Sequence, residues 1–347
     1  MANASIHTVP ALALRRLAPG FLLSAVVAVA AYAGAPWAAR VVPIPAMVLA
    51  LLIGIALNPL AGRPTFAPGL VFCVKQLLRW AVALLGLRIA LGDIVALGVW
   101  SAVLVVISMA ITILSGFALA RMLDLPSPYG ALAGAGTAVC GASATLATST
   151  VLPDYNGKEA DVVFVVVAVN ALSTLAMLVY PPIALALGFD EHITGVLLGA
   201  TIHDVAQVVG AGYAVSETVG NTAVIVKLFR VFLLLPVVLA IGWWFARKAA
   251  STVASSVPVP VFAFVFLALC LVNSIAPSIA AIAPLYAAVK SVLVEVSTAG
   301  LLIAIAALGL GTSVAAIGRL GWRHIVTVSA TTLVILAVVT GGLLPMR

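Results

Sequence analysis

Two short runs carry polar chemistry that an apolar chain does not need for packing alone. The first is Gly136-Thr137-Ala138-Val139-Cys140-Gly141-Ala142-Ser143, and the second is Thr201-Ile202-His203-Asp204-Val205-Ala206-Gln207. His203 and Asp204 form the one titrating cluster inside an apolar stretch, and His203 and Gln207 share a helix face at i, i+4. An imidazole beside a carboxylate can take up and release a proton near neutral pH. His203 and Asp204 are therefore candidates for proton coupling or substrate contact. The alternative is a structural polar clasp between helices. One His and one Asp do not make a metal ligand set, so no metal and no cofactor is expected. Cys140 and His203 could pair as nucleophile and base, but the thiol lacks any catalytic context, and the chain does not read as an enzyme.

Buried cations are the second chemical feature. Lys75 and Arg79 are spaced i, i+4, and Lys227 and Arg230 are spaced i, i+3, so each pair lies on one helix face. Arg88 and Lys290 also fall in or near apolar segments, where only Asp204 and Glu295 offset them. A charge in mid-membrane costs several kcal/mol and needs a partner or a purpose. A bound anion could supply the missing counter-charge, with Arg79, Lys75, Lys227 and Arg230 as its candidate ligands. The competing explanation is snorkelling, in which long side chains carry their charges to the headgroups.

The elements that position these residues must be irregular. Gly130, Gly134, Gly136 and Gly141 fall within twelve residues, and Gly195 and Gly199 precede the second run. Glycine weakens a helix interior by about 1 kcal/mol relative to alanine, so a break is expected in each segment. Freed backbone groups are costly in lipid unless they line a polar cavity. The first half-helix is expected to end near Gly136. The second is expected to start near Gly141-Ala142-Ser143, aiming its N–H groups and positive dipole end at the break, which favours an anion. The candidate substrate set is Gly136, Thr137, Cys140, Gly141 and Ser143 with Thr201 and Gln207. Small-xxx-small spacing that only permits close helix packing is the alternative.

Composition decides where these elements sit. Of 347 residues, 64% are hydrophobic and 8% charged. A soluble fold could not hide that much apolar surface, and a bilayer can. The formal charge of +7 comes with no basic tract, so nucleic acid is not a partner, whereas the lipid bilayer is. The three cysteines Cys73, Cys140 and Cys270 all lie in apolar stretches, without C-x-x-C or zinc spacing. The fold class is an all-α polytopic membrane protein in a single transporter domain, 1–347, of about 11 spans. These are 17–35, 43–61, 68–91, 94–120, 128–152, 162–187, 193–215, 222–246, 259–280, 285–315 and 324–345. Ala33-Gly34-Ala35 resembles a signal cleavage site, but Pro36 disfavours cutting, so the first segment is expected to be a retained span.

If all eleven cross and the N-terminus is cytoplasmic, Arg15, Arg16, Arg63, Arg121, Arg247, Lys248, Arg319 and Arg323 lie inside. Arg40, Lys158 and Arg347 lie outside, with Arg88 near a span end, which satisfies the positive-inside rule. The expected location is the cell inner membrane. A re-entrant 128–152 would move four later charges outside. An internal similarity supports the same organisation. Leu85-Gly86-Leu87-Arg88 to Trp100 resembles Leu308-Gly309-Leu310-Gly311 to Arg323, with Ile94 matched by Ile317. Seven spans separate the copies, so they should run in opposite directions, as inverted repeats of secondary transporters do.

The run Gly136 to Ala144 resembles a signature of the sulfate exporter family, the YeiH-type bacterial inner-membrane proteins. Gly199 to Val209 looks like the family's second signature, and Leu77-Leu78-Arg79 to Arg88 is similar to its third. The likeness covers nearly the whole chain, with Asp204 where relatives more usually carry Glu. The resemblance implies a ten- or eleven-span bundle with inverted repeats and two interrupted helices, similar to the sodium/proton antiporter and bile-acid symporter folds. It also implies a transport role, without fixing a substrate. The expected function is secondary transport of a small inorganic or organic anion, such as sulfate, sulfite or an organosulfonate, by alternating access. An anion channel and an intramembrane enzyme are the alternatives, and a homodimer is left open.

Overall fold

A computed structural model describes residues 8–38, 45–249, 261–279, 283–312 and 321–346. The described residues are helical, without a strand among them. A chain crossing lipid must satisfy its backbone within each segment, and helices do so. In chain order the helices are α1 (Thr8–Ala38), α2 (Ala46–Ala56), α3 (Asn58–Ala61), α4 (Ala67–Phe72), α5 (Leu78–Leu84), α6 (Leu91–Ala96), α7 (Gly98–Met122), α8 (Ser127–Ala138) and α9 (Ala142–Ser149). They continue as α10 (Lys158–Ala186), α11 (Glu191–Thr201), α12 (Val205–Val215), α13 (Glu217–Phe232), α14 (Leu234–Ala249), α15 (Val261–Ile275), α16 (Ala283–Gly311) and α17 (Trp322–Leu343). A π-helical turn, Cys73–Leu77, joins α4 to α5, and a 3-10 turn, Leu85–Leu87, follows α5.

Eight helical stretches among the described residues are long and apolar enough to cross a membrane. The expected segments 43–61, 128–152 and 193–215 consist of shorter helices instead, namely α2 with α3, α8 with α9, and α11 with α12. Helix α1 runs through Pro36 to Ala38, and α10 runs through Pro181 and Pro182 to Ala186. Arg40, Ile317, Arg319 and Arg347 lie outside the described residues. So does much of the second copy of the internal similarity.

The chain forms two compact units, the first of residues 1–90 and 264–313, the second of 91–263 and 314–347. Both copies of the internal similarity fall where the chain leaves the first unit for the second. In the first unit, α1 packs on α4, and α2 packs on α16. The contacts need glycine. A Cβ on Gly54 would stand 2.7 Å from the Ala306 carbonyl, and one on Gly20 would stand 2.2 Å from that of Phe66. Ala28, Ala31, Ala50, Cys73, Ala306 and Ala307 fill the space between.

The second unit uses the same device. A Cβ on Gly116 of α7 would meet the Gly130 carbonyl of α8 at 2.5 Å, and one on Gly199 of α11 would meet the Ala223 carbonyl of α13 at 2.5 Å. Such approach lets two helices in lipid pack backbone to backbone. Helix α10 packs against all four short helices α8, α9, α11 and α12, and α17 packs against α7, α8 and α11. The first turns of α8, α10 and α17 are tied together at one end. Tyr129 Oη donates to the His324 carbonyl at 2.9 Å, and His324 Nε2 lies 3.3 Å from Asp161 Oδ1. Tyr155 Oη donates to Asp161 Oδ2 at 2.9 Å.

These contacts give a stability test. Gly116→Val places atoms where backbone already stands and is expected to cost at least about 1–3 kcal/mol, the usual range for overpacking. Gly341→Ala, within α17 where a Cβ has nothing within 4 Å, is expected to keep stability or raise it by up to about 1 kcal/mol. Melting temperatures of the two purified variants in detergent check this.

Candidate functional site

The first break is confined to three residues. Helix α8 ends at Ala138, two residues beyond the expected Gly136. Val139 then leaves helical geometry at φ −109°, ψ −85°. Gly141 takes φ +65°, ψ −124°, a conformation that glycine adopts and other residues resist. Its N–H donates to the Gly136 carbonyl at 2.9 Å, and α9 starts at Ala142. The N-cap residue of α9, Gly141, has no side chain, and the Cys140 sulfur meets the Ala144 N–H. The N–H groups of Ala142, Ser143 and Ala144 have no carbonyl one turn earlier in a helix, so this end carries donors and partial positive charge.

The second break is built differently. Helix α11 ends at Thr201, and Ile202 is extended at ψ 137°. Asp204 is extended as well and caps α12, its Oδ1 accepting from the Ala206 N–H at 2.8 Å. Its own N–H donates to Ser173 Oγ on α10 at 3.0 Å. The two breaks lie against each other, since a Cβ on Gly141 would be 3.8 Å from the His203 Cβ and from its carbonyl.

Interrupted helices leave carbonyls unpaired at the C-terminal end of each first half. Helix α13 supplies the partners. Lys227 Nζ donates to the carbonyls of Val139 at 2.7 Å, Ile202 at 3.0 Å, and His203. Arg230 uses all five N–H donors. Nε reaches Ala138, Nη1 reaches Gly199 and Ile202, and Nη2 reaches Thr137 and Ala138, all within 2.8–3.0 Å. Both side chains are fully buried. Three carbonyls around Lys227 call for three N–H donors, hence the ammonium form. These two residues enter the site as charge and as ties between the breaks. Their donors are already taken by the main chain, so the counter-charge anticipated from a ligand is met in part by two helix C-termini.

Two further helices finish the wall. Thr332 on α17 gives its hydroxyl proton to the Val328 carbonyl at 2.9 Å. The same Oγ1 lies 3.0 Å from His203 Nε2, a hydrogen bond whose direction the imidazole tautomer sets. The buried ring thus lies between α17 and the first break. Thr331 pairs with Thr137 at 3.0 Å. On α10, Thr174 donates to the Asn170 carbonyl and so can only accept from Gln207 Nε2, at 3.3 Å. This orients the amide, leaving the buried Gln207 Oε1 with no hydrogen-bond partner.

The structure thus gathers Gly136, Thr137, Cys140, Gly141, Ser143, Thr201, His203, Asp204, Gln207, Lys227 and Arg230 in the second unit. Ser143 is exposed at the first turn of α9, and Asp204 is half-buried. Cys140 is buried and feels the charges of Lys227, Asp204 and Arg230. Thr201 gives its hydroxyl to the Leu197 carbonyl of its own helix. Gly136 makes room for Thr145, whose Oγ1 would lie 2.5 Å from a Cβ there. Lys75 and Arg79 stand on exposed positions of the first unit. Sequence reasoning missed Ser173, Thr174, Thr331 and Thr332. The available signal was Asn170-x-x-Ser173-Thr174, polar at i, i+3 and i+4 in an apolar helix, and the Thr331-Thr332 pair.

Removing either cation exposes this dependence. Arg230→Met leaves buried carbonyls without donors and is expected to cost about 3–5 kcal/mol, the range for breaking a buried charge pair. Arg230→Lys, with three donors for five, should fall between. Asp204→Asn keeps a good cap and is expected to melt close to wild type. Thermal unfolding of the three purified variants decides the order.

The family model described as "Conserved hypothetical protein 698" matches residues 19–328. The UPF0324 membrane protein TauZ of Paracoccus pantotrophus is 43% identical over 329 residues, covering 94% of each chain. A UPF0324 membrane protein of Chlorobaculum tepidum is 39% identical over 337 residues, covering 94% of this chain and 89% of the relative. One from Rhizobium meliloti is 39% identical over 328 residues, covering 94% and 92%. No solved structure matches the chain.

Proposed function

The chain belongs to the conserved hypothetical protein 698 family, the UPF0324 multi-pass membrane proteins, and on that premise we propose that it is a secondary transporter of a small anion. The observation that carries the proposal is the start of α9, whose N-cap residue Gly141 has no side chain, inside a membrane-embedded unit and beside two fully buried cations. Helix N-termini bind anions through N–H groups and dipole together. Interrupted helices crossing at a polar point are how secondary transporters place a binding site at mid-membrane. The proposed fold is an eleven-span inverted repeat, similar to the sodium/proton antiporters and bile-acid symporters, in the inner membrane with its N-terminus cytoplasmic.

The anion would lie at the α9 start, against the N–H groups of Ala142 and Ser143 and the Ser143 hydroxyl, with the Cys140 thiol on the Ala144 N–H beside it. Gly141, lacking a side chain, lets the ligand approach the backbone. Lys227 and Arg230 act at short range through charge, held by the carbonyls that they pair. Asp204 and His203 are the proposed coupling groups, a carboxylate and an imidazole on adjacent residues of the second break. Lys75 and Arg79, exposed on the first unit, are proposed to draw anions towards the protein. No bond is made or broken, so the protein is proposed to be a carrier rather than an enzyme.

Reconstituted liposomes test this. Loaded with sulfite or a small sulfonate, they are expected to show saturable, pH-dependent uptake with counterflow. Flux without saturation or counterflow would instead favour a channel. Asp204→Asn, correctly inserted, is expected to lose most of the pH dependence. Unchanged pH-dependent flux in that variant removes Asp204 from the coupling role.

A further inference from the structure

The level at which each half-helix ends decides how the two interrupted segments meet the membrane. Helix α8 starts beside the first turns of α10, with the Tyr129 and Phe164 rings 6.2 Å apart. It runs the same way as α10, since a Cβ on Gly136 would stand 3.3 Å from Val165 and 3.5 Å from Val169. That Cβ would also stand 2.5 Å from Thr145 Oγ1, nine residues further along the chain. A helix continuing straight through the break would separate the two residues by about 13 Å. Helix α9 has therefore turned back along α8. Lys158 Nζ then donates to the Leu152 carbonyl at 2.9 Å, which brings the end of the segment to the first residue of α10. The segment leaves at the end by which it entered.

The second segment does the same from the other end of α10. Helix α11 begins at Glu191, shortly after α10 ends at Ala186. It runs in the direction of α13, because a Cβ on Gly195 would stand 2.5 Å from the Thr222 Cβ, and one on Gly199 would stand 2.8 Å from the Val226 Cβ. Helix α12 runs against α13. The His203 carbonyl, just before α12, is held by Lys227, whereas a Cβ on Gly212 would stand 2.8 Å from the Gly220 Cα. Helix α12 thus ends level with the start of α11. The 29 residues of α10 span about 43 Å, more than a bilayer core of about 30 Å, so its two ends belong to opposite faces.

We infer that residues 127–152 and 190–216 are re-entrant hairpins that enter from the cytoplasmic and outer faces and meet tip to tip at Gly141 and His203, so that one hairpin covers the crossing from each side. The eleven segments of the sequence stand, but two of them return. The eight long apolar stretches, with α2 and α3, are then the full crossings. Loop charge is an independent check. Returning the first segment alone would move later inner cations outside, and returning the second puts them back. Lys158 alone changes side among the charges counted, and it joins the inner set, leaving Arg40, Arg88 and Arg347 outside. Two crossings fewer between the copies of the internal similarity leave an odd number, so the copies still run in opposite directions.

Sided labelling tests this topology without a substrate. Ser127→Cys, Asn156→Cys, Glu191→Cys and Thr218→Cys are made one at a time in the full chain, all at exposed positions that flank the hairpins. The native Cys73, Cys140 and Cys270 are buried, so the wild type sets the background. Right-side-out bacterial spheroplasts are treated with a membrane-impermeant maleimide before and after permeabilisation. Glu191→Cys and Thr218→Cys are expected to label in intact spheroplasts, and Ser127→Cys and Asn156→Cys only after permeabilisation. Ser127 and Asn156 on different faces, or Glu191 and Thr218 on different faces, means a full crossing and overturns the inference. Pairs that stay together on exchanged faces overturn the assignment of faces. The anion-carrier reading is judged apart, by liposome flux.

Discussion

The second unit depends on one requirement: main-chain carbonyls exposed by interrupting two helices in an apolar environment must be paired. Lys227 and Arg230 pair six of them, on Thr137, Ala138, Val139, Gly199, Ile202 and His203. Unpaired, each would carry a desolvation cost of about 1–3 kcal/mol. The cations have the reciprocal need, since an ammonium or guanidinium in such a place persists only when its donors are met. Neither the breaks nor the cations are stable alone, and each is the condition for the other.

That mutual dependence leaves the chemistry at the opposite ends. The C-termini of α8 and α11 are closed by α13, whereas the start of α9 has a glycine at its N-cap and the start of α12 is capped by Asp204. One site therefore presents donors, and the other a carboxylate beside an imidazole and an amide. The asymmetry comes from local sequence. Gly141 supplies a positive φ but no side chain, while Asp204 supplies an oxygen that reaches Ala206.

Small residues make the arrangement reachable. Lys227 and Arg230 can extend to both breaks only because α11 lies close against α13, which Gly195 and Gly199 allow. Close approach of α8 to α7 at Gly116, Gly130 and Gly134 does the same for the first break. The glycines thus have two uses, packing at 130, 134, 195 and 199, and conformational freedom at 141. The two explanations weighed for glycine in the sequence both apply, at different positions.

The membrane class, the polar runs and the interruptions were legible in the sequence because each follows from local composition: apolar stretches of sufficient length, and glycine and polar residues clustered inside them. The exact position of the first break was not, since it is set by Val139 and Gly141 rather than by Gly136. The duty of Lys227 and Arg230 was not legible either. Sequence shows a cation in an apolar helix and says that it needs a partner, but the partners are carbonyls, present at every residue and marked by no residue type. Which carbonyls are free, and which helix passes beside them, is decided when α8, α11 and α13 pack. The same holds for Ser173, Thr174, Thr331 and Thr332, ordinary helix hydroxyls until α10 and α17 are placed against the breaks. Composition and spacing determine that a polar interruption exists in lipid, and only packing decides which groups in it are satisfied and which stay open to a ligand.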